Sequence, residues 1–110
     1  MTNSNKQTAT TFTSKLEDSL VSRGFVYKHF VWLRDDEMIS IKGSSKSESV
    51  YFTYKSSDGA YYTLRYSGHP VFSDNVPLSP ERGGQNKIDV GFSGAPTPDE
   101  GMEWLLGKLN

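Results

Sequence analysis

The chain contains no cysteine. That excludes disulfides, thiolate nucleophiles and cysteine-rich zinc sites, and it fits a reducing, cytoplasmic setting. No apolar run approaches the roughly 20 residues that span a bilayer, so no membrane partner is expected. The net charge is only −1. Such a balance supplies no global field to gather nucleic acid or acidic lipid. Histidine is scarce, with His29 and His69 the two present. No ligand spacing joins them to Asp74 or Glu81, so neither a metal nor another cofactor is expected.

What is present suits one small domain. A chain of 110 residues builds one core. The first eleven residues, MTNSNKQTATT, are polar throughout and read as a solvated tail without the apolar segment of a secretory signal. Residues 12–110 are then a single α+β domain. Charge is slightly uneven: residues 1–66 hold nine Lys/Arg against seven Asp/Glu, and residues 67–110 hold three against six. Aromatic residues make up 13%, which favours strands and recognition surfaces over a helical bundle.

Periodicity divides the chain into seven elements. In residues 12–23, Phe12, Leu16 and Leu20 recur every four positions, Val21 widens the stripe, and Gly24 follows as a C-cap. This is a helix. Ser14 and Glu17 have capping-box spacing, although a start near Thr10 or Thr11 is also open. Residues 25–34, FVYKHFVWLR, read as one strand. A turn at Asp35-Asp36-Glu37 leads to a short strand, Met38 to Lys42, and residues 43–49 form a loop. Val50 to Lys55 and Ala60 to Ser67 are two strands joined by the tight turn Ser56-Ser57-Asp58-Gly59. Residues 68–86 form a long segment rich in proline and glycine, and Lys87 to Phe92 is a fifth strand. Residues 97–109 are a helix. Thr97 caps it, Pro98 lies in its first turn, Glu100 completes a capping box, and Met102, Leu105, Leu106 and Leu109 form its apolar stripe.

The order predicts an α+β two-layer sandwich: a five-stranded, mostly antiparallel sheet with the N- and C-terminal helices on one face. Alternation assigns the strand residues to faces. Ile39, Ile41, Val50, Phe52, Tyr54, Tyr62, Leu64, Tyr66, Ile88, Val90 and Phe92 point in. Ser40, Lys42, Tyr51, Thr53, Lys55, Tyr61, Thr63, Arg65, Lys87 and Asp89 point out. The first strand is apolar on both faces. If Phe25, Tyr27, Val31 and Leu33 point in, then Lys28, Phe30, Trp32 and Arg34 point out. The outward set interleaves aromatics with cations; Tyr, Thr and Lys are ordinary on a solvated sheet face, and the same set also suits a protein interface or stacked, unpaired bases.

One cluster stands out. In Ala60 to Pro70, AYYTLRYSGHP, Arg65 and Ser67 share a face and His69 follows, with Asp74 a few residues on. A hydrolase would use these residue types, but no glycine-framed nucleophile elbow is present. The simpler expectation is that Arg65 pairs with Asp89 across the sheet, Ser67 turns the chain, and His69 anchors a loop. His29, in a strand of aromatics, reads as packing. The PERGG stretch at residues 80–84 precedes a strand, so a phosphate loop is not expected. It reads as a tip bearing Arg82.

YYTLRYSGHP resembles the strand end of small phage and mobile-element proteins, and of accessory modules in large phage polyvalent proteins. Those modules usually carry Asp where Gly68 stands. The resemblance implies a phage or mobile-element origin and a binding role. The leading expectation is a non-enzymatic module that binds a host protein, in its most concrete form an inhibitor of a nuclease-based defence system. Its contacts would be Tyr61, Arg65, Ser67, His69, Asp74 and Arg82, with Tyr51 and Trp32. The second reading is a single-strand nucleic-acid binder on the same face, and the third a small hydrolase around His69. Self-association through the aromatic face or an edge strand stays open.

Overall fold

A computed structural model describes residues 9–44, 49–67, 86–91 and 96–109. The chain is an α+β fold with helix α1 (Ala9–Ser22), strands β1 (Val26–Lys28), β2 (Val31–Arg34), β3 (Glu37–Ser44), β4 (Ser49–Lys55), β5 (Tyr61–Ser67) and β6 (Lys87–Gly91), and helix α2 (Pro98–Lys108). The strands form one sheet in the order β1-β2-β3-β4-β5-β6. Neighbours are antiparallel from β1 to β5, and β6 runs parallel to β5. No described helix is long and apolar enough to cross a membrane.

Both helices form for the reasons their sequences indicate. Phe12, Leu16 and Leu20 are the buried residues of α1. Its C-terminus passes into Gly24 at φ +89°, the left-handed geometry that leaves the last carbonyls reachable. Thr97 and Glu100 form the full capping box of α2, with Pro98 in the first turn. Three details differ from expectation. Helix α1 starts at Ala9, so residues 9–11 belong to it, and Ser14 and Glu17 lie inside the helix instead of capping it. Val21 is exposed and does not widen the stripe.

The sheet has six strands because FVYKHFVWLR is two. His29 and Phe30 both take positive φ, +56° and +69°, which matches a type I′ turn between paired strands. Neither residue type favours that conformation, so the turn costs about 1–2 kcal/mol per residue. The register Lys28↔Val31, Tyr27↔Trp32, Val26↔Leu33 follows from it. A second two-residue turn at Asp35-Asp36 places Glu37 at the start of β3, opposite Arg34. The turn between β4 and β5 is held by Ser56, whose backbone N–H donates to the Ala60 carbonyl at 2.8 Å.

One sheet face builds the core. Registers put Ile39, Tyr54 and Tyr62 in one row, Ile41, Phe52, Leu64 and Ile88 in the next, and Val50, Tyr66 and Val90 in a third. This is the inward set expected from alternation; Phe92 lies outside the described residues. Phe12 of α1 meets Phe52 edge-on at 5.5 Å and Tyr66 at 5.1 Å. Helix α2 seats Gly101 against Val90 and Leu64 so closely that a Cβ there would overlap the Val90 side chain.

Candidate functional site

The helix-free face carries a polar grid. Across it run Met38–Lys55–Tyr61, then Ser40–Thr53–Thr63–Lys87, then Lys42–Tyr51–Arg65–Asp89, then Ser49–Ser67–Gly91. Every outward assignment on β3 to β6 holds as to face. Exposure does not follow. Lys42 is exposed, and Met38, Ser40, Tyr51, Thr53, Lys55 and Tyr61 are half-buried, but Ser49, Thr63, Arg65 and Ser67 are buried.

Arg65 carries the largest correction. Its side chain is 0% exposed, so it is not the open contact expected of an outward residue. The expected partner is the real one. Parallel register sets Arg65 beside Asp89, and Arg65 Nε donates to that carboxylate. Lys87 Nζ donates to the other carboxylate oxygen at 2.7 Å, and the guanidinium carbon lies 5.9 Å from the centre of the Tyr51 ring. Two cations share one carboxylate that is itself only 12% exposed. Beside them, Thr53 and Thr63 join their hydroxyls at 3.0 Å. Gly91, at φ +119°, lies so close to Ser67 that a Cβ would overlap the Ser67 carbonyl oxygen. The Ser67 hydroxyl is buried without a hydrogen-bond partner among the described residues.

Trp32 is the second correction. The turn at residues 29–30 shifts the alternation, so Trp32 and Arg34 lie on the helix-covered face. Trp32 is buried and packs on Tyr27 at 5.2 Å. His29 sits exposed in the turn rather than packed in a strand. Tyr51 and Tyr61 keep partial exposure on the helix-free face. His69, Asp74 and Arg82 lie outside the described residues.

A feature that alternation missed is the Arg34 cluster. Arg34 makes a two-bond pair with Glu37, both at 2.8 Å, and donates to the Arg23 carbonyl after α1 at 2.9 Å and to the Leu109 carbonyl ending α2. One cation thus satisfies carbonyls at the C-termini of both helices, where their dipoles favour positive charge. Phe25 stacks under the guanidinium at 4.5 Å, and Tyr54 donates its hydroxyl to Glu37. The bond to Arg34 holds the Glu37 carboxyl below its usual range against the opposing effect of burial, and raises Arg34 in turn. Burial first, and then the bond to Glu37, drives Tyr54 above the ordinary tyrosine value. The opposed charges at Arg34 and Glu37, three residues apart around a turn, were the available sequence signal.

No nucleophile, base and orienting acid converge among the described residues. A cavity of about 290 Å³ opens between α1 and β4, lined by Ala9, Thr10, Thr13, Ser14, Glu17 and Val50, away from both arginine clusters. The sequence matches no protein-family model, and neither a curated protein nor a solved structure matches it.

Proposed function

We propose that the protein is a non-enzymatic binding module whose contact surface is the β3–β4 part of the helix-free face, reaching to Tyr61. The observation that carries this reading is the composition of that patch. Tyr51 and Tyr61 keep accessible ring surface beside Lys42 and Lys55, and no carboxylate occupies this face of β3 or β4. Tyrosines supply large, stiff contact area, and the lysines select an acidic partner. The buried Arg65–Asp89–Lys87 group then acts as a support beneath Tyr51 rather than as a contact. In the most specific form of the proposal the partner is a host protein of a nuclease-based defence system, inhibited by occlusion of its working surface. That form draws on the likeness of YYTLRYSGHP to phage proteins.

The interleaved lysines and tyrosines also favour a second reading, single-strand nucleic acid. Capture from lysate by the wild-type protein and by a Lys42→Glu, Lys55→Glu variant, each with and without nuclease, separates the two. A defined protein that survives nuclease and is lost with the variant supports a protein partner. Loss of all bound material on nuclease treatment supports nucleic acid. Equal capture by both proteins removes the patch from consideration. An unchanged melting temperature confirms that the variant folds.

A further inference from the structure

The large apolar side chains left exposed among the described residues are Val21, Val26, Tyr27 and Phe30. All four fall within ten residues, at the β1 margin of the sheet and outside the β3–β4 patch proposed as the contact surface. Phe30, at 87% exposed, sits in a left-handed turn position that costs energy to hold. We propose that this margin is a self-association surface, on which a second copy of the chain pairs its β1 antiparallel to β1 about a two-fold axis at Tyr27. The proposal is independent of the contact surface on β3 and β4.

Backbone alternation selects the axis. In a two-residue hairpin the pair that closes the turn, Lys28–Val31, exchanges hydrogen bonds, and the next pair does not. Tyr27 therefore directs its N–H and C=O away from β2, toward the open margin. Strand β1 is terminal in the sheet order, so these groups face no other described strand. Two copies related by an axis at Tyr27 exchange two N–H···O bonds there and extend the six-stranded sheet to twelve strands.

The same operation covers the apolar set. It places Tyr27 beside Tyr27 of the other copy and Val26 beside Lys28. Phe30 sits in the turn that closes the hairpin, about 7 Å beyond Tyr27 along the strand direction. The α1 C-terminus lies in the opposite direction, because Gly24 N–H donates to the Val21 carbonyl at 3.0 Å. Antiparallel pairing brings the hairpin tip of one copy, with Phe30, toward the α1 C-terminus of the other.

Charge agrees. One end of the β1–β2 ribbon carries exposed Lys28 and His29, and the other carries exposed Asp35 and Asp36. Antiparallel pairing sets each basic end against the other copy's acidic end. Arg23, also at the acidic end, is turned back onto the Ser19 carbonyl at 3.2 Å. A three-residue strand and a hairpin tip bury little area, so the dimer belongs to the small, weak class of interfaces.

The absence of cysteine makes the test direct. An antiparallel hydrogen-bonded pair has Cα atoms about 5.5 Å apart, within disulfide reach. Under mild oxidation a Tyr27→Cys protein should form a covalent dimer. A Val26→Cys protein should not, because its Cα atoms would lie about 8 Å apart across the same axis. Sedimentation of the wild-type protein from micromolar to submillimolar concentration should show a reversible dimer. Phe30→Asn, which suits the turn better, should weaken that dimer about tenfold or more while keeping the fold. Lys28→Glu should weaken it too, and adding Asp35→Lys and Asp36→Lys should restore it. A wild-type protein that stays monomeric throughout, or equal cross-linking at 26 and 27, overturns the proposal.

Discussion

Among the described residues two arginine–carboxylate groups stand, one on each face of the sheet, and they are built to opposite plans. Arg34 is 23% exposed at the rim of the core and bridges separate elements, tying β2 to the ends of α1 and α2. Arg65 is fully buried, and its pair with Asp89 joins adjacent strands. The chemistry is the same, but the surroundings differ. Bulk water can compensate part of a lost bond at Arg34, which is 23% exposed, but does not reach the fully buried Arg65 side chain. A buried ion pair adds modest net stability when intact and is costly when one partner is removed.

Removing the acid from each pair should therefore break the comparison open. Asp89→Ala leaves two cations, Arg65 and Lys87, facing a missing carboxylate, and should cost about 3–5 kcal/mol in urea unfolding. Glu37→Ala should cost less, about 1–3 kcal/mol, because Arg34 keeps its carbonyl partners and some water. Equal losses would show that burial does not separate the two sites.

Gly91→Ala tests the frame around Arg65. It requires a strained φ and meets the Ser67 backbone, so a loss of about 2–4 kcal/mol is expected. Gly101→Ala forces α2 off Val90 and should cost about 1–3 kcal/mol.

The Arg34 side should also show in acid. The Glu37 pKa is lowered in the folded state, so its stabilisation is fully present above the usual carboxylate range, about pH 4–5, and fades as pH falls through the folded value. Glu37→Gln should flatten that part of the stability–pH curve. Tyr54 and Tyr66 are raised, the latter by burial, so their contribution holds below about pH 10 and is lost above it. An acid limb unchanged by Glu37→Gln would place the titration elsewhere.

The smallest change should come from Ser67→Ala. Deleting a buried hydroxyl that lacks a partner should be neutral or stabilise by up to about 1 kcal/mol. A clear loss would reveal a bond to that hydroxyl.

Much of this was legible in the chain. The α2 cap, the α1 stripe, the β4–β5 hairpin and the faces assigned on β3 to β6 follow from local patterns, and Asp89 was named as a partner for Arg65 although local pattern left the place of β6 open. The division of residues 25–34 does not. Its turn lacks the Asn-Gly or Asp-Gly that usually marks the geometry, and the one-residue phase change sent Trp32 and Arg34 to the other face. The candidate site was half legible: Tyr51 and Tyr61 were placed correctly, and Arg65 was given the right face and the wrong exposure.

The sequence alone determined the faces assigned on β3 to β6, because side chains alternate with the pleat whatever surrounds them. Only the tertiary structure decided which of those residues meet water. Burial depends on what packs against a face, and strand periodicity carries no information about that. The parallel docking of β6, which sets Asp89 beside Arg65, was likewise settled by assembly of segments distant in the chain.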